Sequence, residues 1–356
     1  MSENLKLKPI AIGSLPHTNS DKAMDIVRKN FAQIPFFPQL KNANKNEDMI
    51  IQVLEGFPTF FANKVSDFLI NSESEEFYED LEEFFSDYEE ITENPLSEKL
   101  EKYAISKNFS STFEKFIEFV KQEKPLYAKA QIVGPYTLAT SLTDTNGKAI
   151  VFDETLRDIV VKLLSLKVIW LIQQIKNANS GTVPIIFADE PTISQMGTSA
   201  YMTVSDTEVC EMLKQISEIV KKYGGISAIH CCGKCDWSVP IKAGFNIINP
   251  DAYSFAQHFS LYSNDINRFL QNGGKIVWGL VPTLDGEALK KITVEDLMTI
   301  FEKSVNYLTK KGINEKLITD NSLISSSCGA GALTEELSQR AMDLIKELSD
   351  TLRERF

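Results

Sequence analysis

The chain has no long hydrophobic run: none of its apolar stretches comes near the ~20 residues of a membrane-spanning helix, so no such span is expected. Residues Met1 to Ile10 are polar and lysine-bearing, without the apolar stretch of a secretory signal, and a cytoplasmic location is expected. Cysteine stands at five, an odd number clustered in sequence. That pattern does not make a disulfide framework. In a reducing compartment the thiols are free to bind metal. Basic residues are outnumbered, 37 to 49, for a net charge of −12. The basic face that nucleic-acid binding requires is missing. Internal repeats and low-complexity tracts are absent as well.

The acidic excess is local. Between Glu73 and Glu101 there are thirteen Asp or Glu and one Lys. Removing those from totals of 49 and 37 leaves 36 of each, so the rest of the chain is neutral. Within the acidic stretch Phe77, Tyr78, Leu81, Phe84 and Phe85 recur at helical spacing. That spacing predicts amphipathic helix with a solvated acidic face, the alternative being a surface for a basic partner.

Apolar content is 43%, ordinary for a globular chain, and 356 residues can bury a full-size core. Short apolar runs alternate with longer helical patterns. Pro9 to Gly13 reads as a first strand, followed by a helix from about Asp21 to Asn30. Residues 46 to 125 break the alternation with helical segments, among them Ser111 to Lys121. Strands are then expected at Ala128 to Val133, Val183 to Ala188, Ile226 to His230, Asn246 to Asn249, Lys275 to Gly279 and Leu323 to Ser326, with helices between them. Repeated strand–helix units imply a parallel sheet. About eight units predict a single α/β domain over residues 1–356: a (β/α)₈ barrel of the TIM type, with an acidic helical insertion at about 46–125. Ser14, Asp189, His230, Cys232, Asp251 and Cys328 all fall at strand ends, which in a barrel meet at one rim.

Of these, His230 and Cys232 carry the sharpest chemistry. They lie two apart at the end of a strand, so their side chains share one side, just before the glycine turn at Gly233. Imidazole and thiol suit zinc, and Cys328 offers a distant second sulfur. Three protein ligands with an open fourth position describe a catalytic metal. Two thiolates and a neutral imidazole leave zinc with no net charge, which suits a substrate thiol bound as a nucleophilic thiolate. Asp251 is a displaceable oxygen ligand, an acceptor for His230, or a turn residue after Pro250. Cys235 offers a rival arrangement, a closed structural site with His230, Cys232 and Cys328. Cys231 should face the other side of the strand, and Cys210 a helix core. Asp189 either holds a substrate ammonium or caps a helix. Gly13 and Ser14 offer N–H groups and a hydroxyl to a carboxylate.

In chain order the motifs are Ile12-Gly13-Ser14-Leu15-Pro16, Gly134-Pro135-Tyr136-Thr137, Asp189-Glu190-Pro191, His230-Cys231-Cys232, Asp251-Ala252 and Cys328-Gly329. Together they resemble the catalytic barrel of cobalamin-independent methionine synthase, in the wider superfamily of uroporphyrinogen decarboxylase and corrinoid-dependent methyltransferases. The resemblance implies a zinc-dependent S-methyltransferase with a thiol acceptor, homocysteine or a relative. The methyl donor would be a methylfolate or a methylated corrinoid protein. It also implies that His230, Cys232 and Cys328 bind zinc, with Asp251 where that family has a glutamate ligand, and that Ile12, Gly13, Ser14 and Asp189 hold the amino-acid part of the acceptor. Departures fall elsewhere: Leu284 stands where the family carries a proton-donating histidine, and Ser141 and Gln195 replace a tryptophan and a folate-contacting glutamate.

Overall fold

The structure is a computed structural model and describes residues 5–59 and 69–356. Six strands form one parallel sheet in the order β2 (Tyr127–Val133), β4 (Val183–Asp189), β5 (Ile226–Cys231), β6 (Ile247–Pro250), β7 (Lys275–Val281) and β8 (Ser322–Ser326). Two further strands, β1 (Leu69–Ile70) and β3 (Thr143–Asp144), pair with each other apart from it. Each connection within the large sheet carries helix, as a parallel pair requires. Examples are Glu154–Ala178 before β4, Asp206–Lys222 before β5 and Val294–Thr309 before β8.

Side-chain alternation divides the sheet into two buried faces. Tyr127, Ile185, Phe187, Ile226, Ala228, Ile247, Val277 and Leu323 pack together on the concave face. Ala130, Ile186, Ile229, Ile248, Trp278 and Ile324 belong to the larger core beneath the helices. Burial on both sides explains why these strands read as continuous apolar runs. Helix starts are set by local chemistry: Ser205 with Glu208 and Thr293 with Asp296 form reciprocal capping boxes.

Among the described residues the regular sheet has six strands, not the eight of the expected closed barrel. Pro9 to Gly13 forms no strand. Pro9 makes a single bridge to Ile324, Ser14 one to Gln39, and Phe36 one to Lys129. Proline is the physical reason, because it has no N–H to give a ladder. Pro9, Pro35 and Pro38 fall within these two extended segments. A few backbone bonds run from the β8 edge to the β2 edge through them: Ile10 N–H to Ile324 O, Gln39 N–H to Gly13 O, and Lys129 N–H to Pro35 O.

Residues 46–125, apart from 60–68, which lie outside the described residues, are mainly helical turns and the helices Glu75–Glu93 and Phe113–Glu123. In the acidic helix Phe77, Phe84 and Ile91 are buried while Tyr78 is exposed. Its acidic residues mostly face solvent. Asp87 is the exception: buried, it accepts from the Tyr103 hydroxyl at 2.9 Å and pairs with Lys99 at 3.0 Å. Its carboxyl is held below the ordinary range: burial opposes this but is outweighed by Lys99, Tyr103 and Lys102.

Candidate metal centre

Strand register builds the site. Asp189 on β4 stands beside His230 on β5, which stands beside Asn249 on β6. Residues paired in register point the same way, so these three share the concave face at the sheet's carboxyl end. Cys232 follows one residue past β5, and Cys328 two residues past β8. Gly233, at the turn, has no room for a side chain: a Cβ there would lie 2.6 Å from the Ser194 Cβ.

His230, Cys232 and Cys328 converge. One nitrogen and two sulfurs lie within 4.8 Å of one another. His230 is buried and the two cysteines are half-buried. His230 Nδ1 lies 3.1 Å from Asn249 O. A carbonyl can only accept, so Nδ1 carries a proton and Nε2 is the nitrogen left to ligate a metal. Nε2 is buried and has no partner with hydrogen-bond geometry among the described residues. Cys232 lies close enough to act on it electrostatically. A buried, unsatisfied imidazole nitrogen beside two sulfurs fits a tetrahedral zinc with one position open.

The two thiols polarise each other. The neighbouring Cys328 thiol, with His230, holds Cys232 down at about 4 against the opposing effect of burial. The Cys232 thiolate in turn drives Cys328 far above its ordinary range. Burial would lower His230, but Cys232 and Asp189 raise it to about 9. Cys232 and Asp189 thus favour positive charge at the imidazole.

Asp189 Oδ1 and Asp251 Oδ2 are also buried without partners among the described residues. Burial raises both carboxyls, Asp251 to about 6, while Lys129 opposes the rise at Asp189. Asp251 caps the helix Ala252–Phe259 by accepting from Ser254 N at 2.9 Å. Asp251, expected as a turn residue, ligand or acceptor, is thus a helix cap with one oxygen left over. Its role as the acceptor for His230 does not hold: that acceptor is Asn249 O. Asp251 also lies outside the group of three potential ligands. For Asp189 the helix-capping alternative fails, since Glu190 precedes the turn Pro191–Gln195 and no side chain caps it.

Cys235 is buried in the outer core with Cys231 and does not join the three ligands. The rival four-ligand site is therefore not assembled. Cys231 lies on the opposite side of the strand, as expected. Cys210 lies in the helix Asp206–Lys222, half-buried against the core. Ile12 is buried, and Ser14 meets the loop after Cys328: Ala330 N–H donates to Ser14 O at 2.9 Å. Gly329 and Gly331 give Ser14 room, since a Cβ on either would come within 3.2 Å of its Cβ. Gly13 holds φ +148° and packs against the Gln131 amide. Leu284 is 63% exposed, facing solvent.

Two charged groups next to the site escaped the sequence reading. Lys129 is fully buried on β2, its ammonium against Ile12 O, Gln131 Oε1 (3.1 Å) and the Phe187 ring (4.8 Å). Burial pushes it down to about 8 against the pull of Asp189. The polar alternation Lys129, Gln131 within an apolar strand was the available signal. Glu190 is fully buried and accepts from Tyr136 N, Thr137 N and Thr137 Oγ1 at 2.6–2.9 Å. It binds the Gly134-Pro135-Tyr136-Thr137 turn to the end of β4. Burial raises it to about 7 against those three bonds.

No protein-family model matches the sequence, and no curated protein matches it. Among solved structures, the chain is similar to a B12-independent methionine synthase from Shewanella sp. W3-18-1, in complex with selenomethionine. The TM-score is 0.47 and the identity 16%, over 68% of this chain and 67% of that one. A likeness of that size leaves function to the site's own residues.

Proposed function

We propose that His230, Cys232 and Cys328 hold zinc, and that the chain is a zinc-dependent S-methyltransferase acting on a small thiol such as homocysteine. The observation that carries this reading is the meeting of one imidazole nitrogen and two sulfurs, almost a hundred positions apart in the chain, within 4.8 Å. Bound there, zinc would supply the Lewis acidity that converts a thiol, ordinarily of pKa ~8.5, into a thiolate. The two cysteines keep the centre electron-rich, so a sulfur entering the open position stays nucleophilic. Asn249 fixes the imidazole that faces it. Asp189, with a free buried oxygen, would take the acceptor's ammonium group. Ile12, Gly13 and Ser14 would take its carboxylate, and Asp251 offers a displaceable oxygen.

The donor in this reading is a methylfolate or a methylated corrinoid protein, with neither nucleic acid nor membrane as partner and the cytoplasm as location. Residues 1–356 form one barrel-type domain with an insertion at about 46–125. The test is to supply zinc-loaded protein and homocysteine with methylcobalamin or with methyltetrahydrofolate. Methionine should form from one of them. Zinc-loaded protein that transfers no methyl group from either donor would refute the assignment.

A further inference from the structure

Cys328 belongs to no regular element. β8 ends at Ser326 and the next helix begins at Glu335, so no strand ladder or helix fixes its backbone. Its position comes instead from the turn after β7, Pro282-Thr283-Leu284-Asp285. Thr283 is buried there, at 3% exposure. Its hydroxyl oxygen accepts from Cys328 N–H at 3.1 Å and donates to Cys328 O at 2.8 Å. One hydroxyl can do both, having one hydrogen and two lone pairs. Thr283 N–H donates to Ser327 Oγ at 3.2 Å, fastening the two turns once more. Ser326 Oγ also donates to Cys328 O, at 2.7 Å, while the Cys328 N–H is held by Thr283. Thr283 is β-branched, and its χ1 is stiff, which suits a clasp.

Resting on the metal-centre reading above, we propose that Thr283 is a positioning residue for the third ligand. By clasping both backbone polar groups of Cys328, it aims that sulfur at His230 and Cys232. Groups that orient metal ligands typically contribute 10–100-fold to affinity.

Thr283→Val keeps the shape and removes the hydroxyl, while Thr283→Ser keeps the hydroxyl. Zinc affinity is measured by competition with a chromophoric chelator, and thiolate ligation by the charge-transfer absorption of the cobalt(II)-substituted protein. Thr283→Val should bind zinc about 10–100-fold more weakly and lose thiolate-to-cobalt intensity toward the level of Cys328→Ser. Thr283→Ser should stay close to wild type. Wild-type affinity and an unchanged cobalt spectrum in Thr283→Val would overturn the proposal, as would a Thr283→Ser protein as weak as Thr283→Val. If Thr283→Val does not fold, amide exchange in metal-free wild type decides: the Cys328 N–H should be protected, and exchange at the rate of an open coil overturns the clasp. A wild-type protein that takes up no zinc would instead overturn the metal-centre reading, so the two failures are distinct.

Discussion

Lys167 offers a test of the fold in which the magnitude can be worked out. It lies in the helix Glu154–Ala178, fully buried, with its ammonium donating to Ala104 O at 2.9 Å. Burial drives its pKa down to about 7, with Glu55 opposing. The unfolded chain binds the proton with the ordinary value of 10.5. Between those values the unfolded state holds more protons than the folded one, so stability rises with pH. The penalty is present in full below about 7 and gone above about 10.5. It amounts to roughly 4–5 kcal/mol, of which about 2 kcal/mol is relieved between pH 7 and 9. Lys167→Met removes the penalty and loses a charge-assisted hydrogen bond worth about 1.5–3 kcal/mol. The variant should therefore be more stable than wild type at pH 6 by roughly 2 kcal/mol, and less stable near pH 10.5. Urea unfolding of both proteins from pH 6 to 10 measures the difference, in which all other titrations cancel. A difference that stays flat across this range would refute the reasoning.

Other expectations follow from the same geometry. Cys232→Ser should lose both stoichiometric zinc and methyl transfer, measured by elemental analysis and product formation; a metal-free variant with full activity contradicts it. Asp189→Asn should weaken binding of an amine-bearing thiol by roughly 10–100-fold, the worth of a charge-assisted hydrogen bond. The same thiol without its amine should be little affected, and calorimetry with both ligands shows which. Gly134→Ala should destabilise by about 1–3 kcal/mol, the cost of overpacking, since its Cβ would lie 2.2 Å from the Glu190 carboxyl. A Gly134→Ala protein that melts like wild type would show that the turn yields freely.

Much of the architecture was legible because parallel strands buried on both faces announce themselves. Ile185-Ile186-Phe187-Ala188 and Ile226 to His230 read correctly to within a residue or two. The extended segment at 9–13 misled, and the one at 35–39 went unread. Pro9-Ile10-Ala11-Ile12-Gly13 has strand-like hydrophobicity, yet proline and a glycine at φ +148° leave it single bridges in place of a ladder. That His230 and Cys232 share a side was legible, because His-x-Cys at a strand end fixes it, and Cys328 does converge on them. The groups that hold them were not legible. Asn249 supports His230 through a backbone carbonyl, which every residue has. Thr283 meets Cys328 across 45 positions, a pairing that depends on β7 and β8 being neighbours. Glu190, next to Asp189, shows the limit of composition: Asp189 ends β4 on the face of His230, and Glu190, one residue on, turns into the Tyr136–Thr137 turn.

X-ray absorption of the zinc-loaded protein tests the central claim most directly. The account predicts two sulfurs near 2.3 Å and one nitrogen near 2.0 Å, at the usual zinc distances of about those lengths, with a light atom completing the shell. Homocysteine should replace that light atom with a third sulfur, and Cys328→Ser should remove one of the first two. A shell that already holds four protein ligands and does not change on adding the thiol would contradict the account.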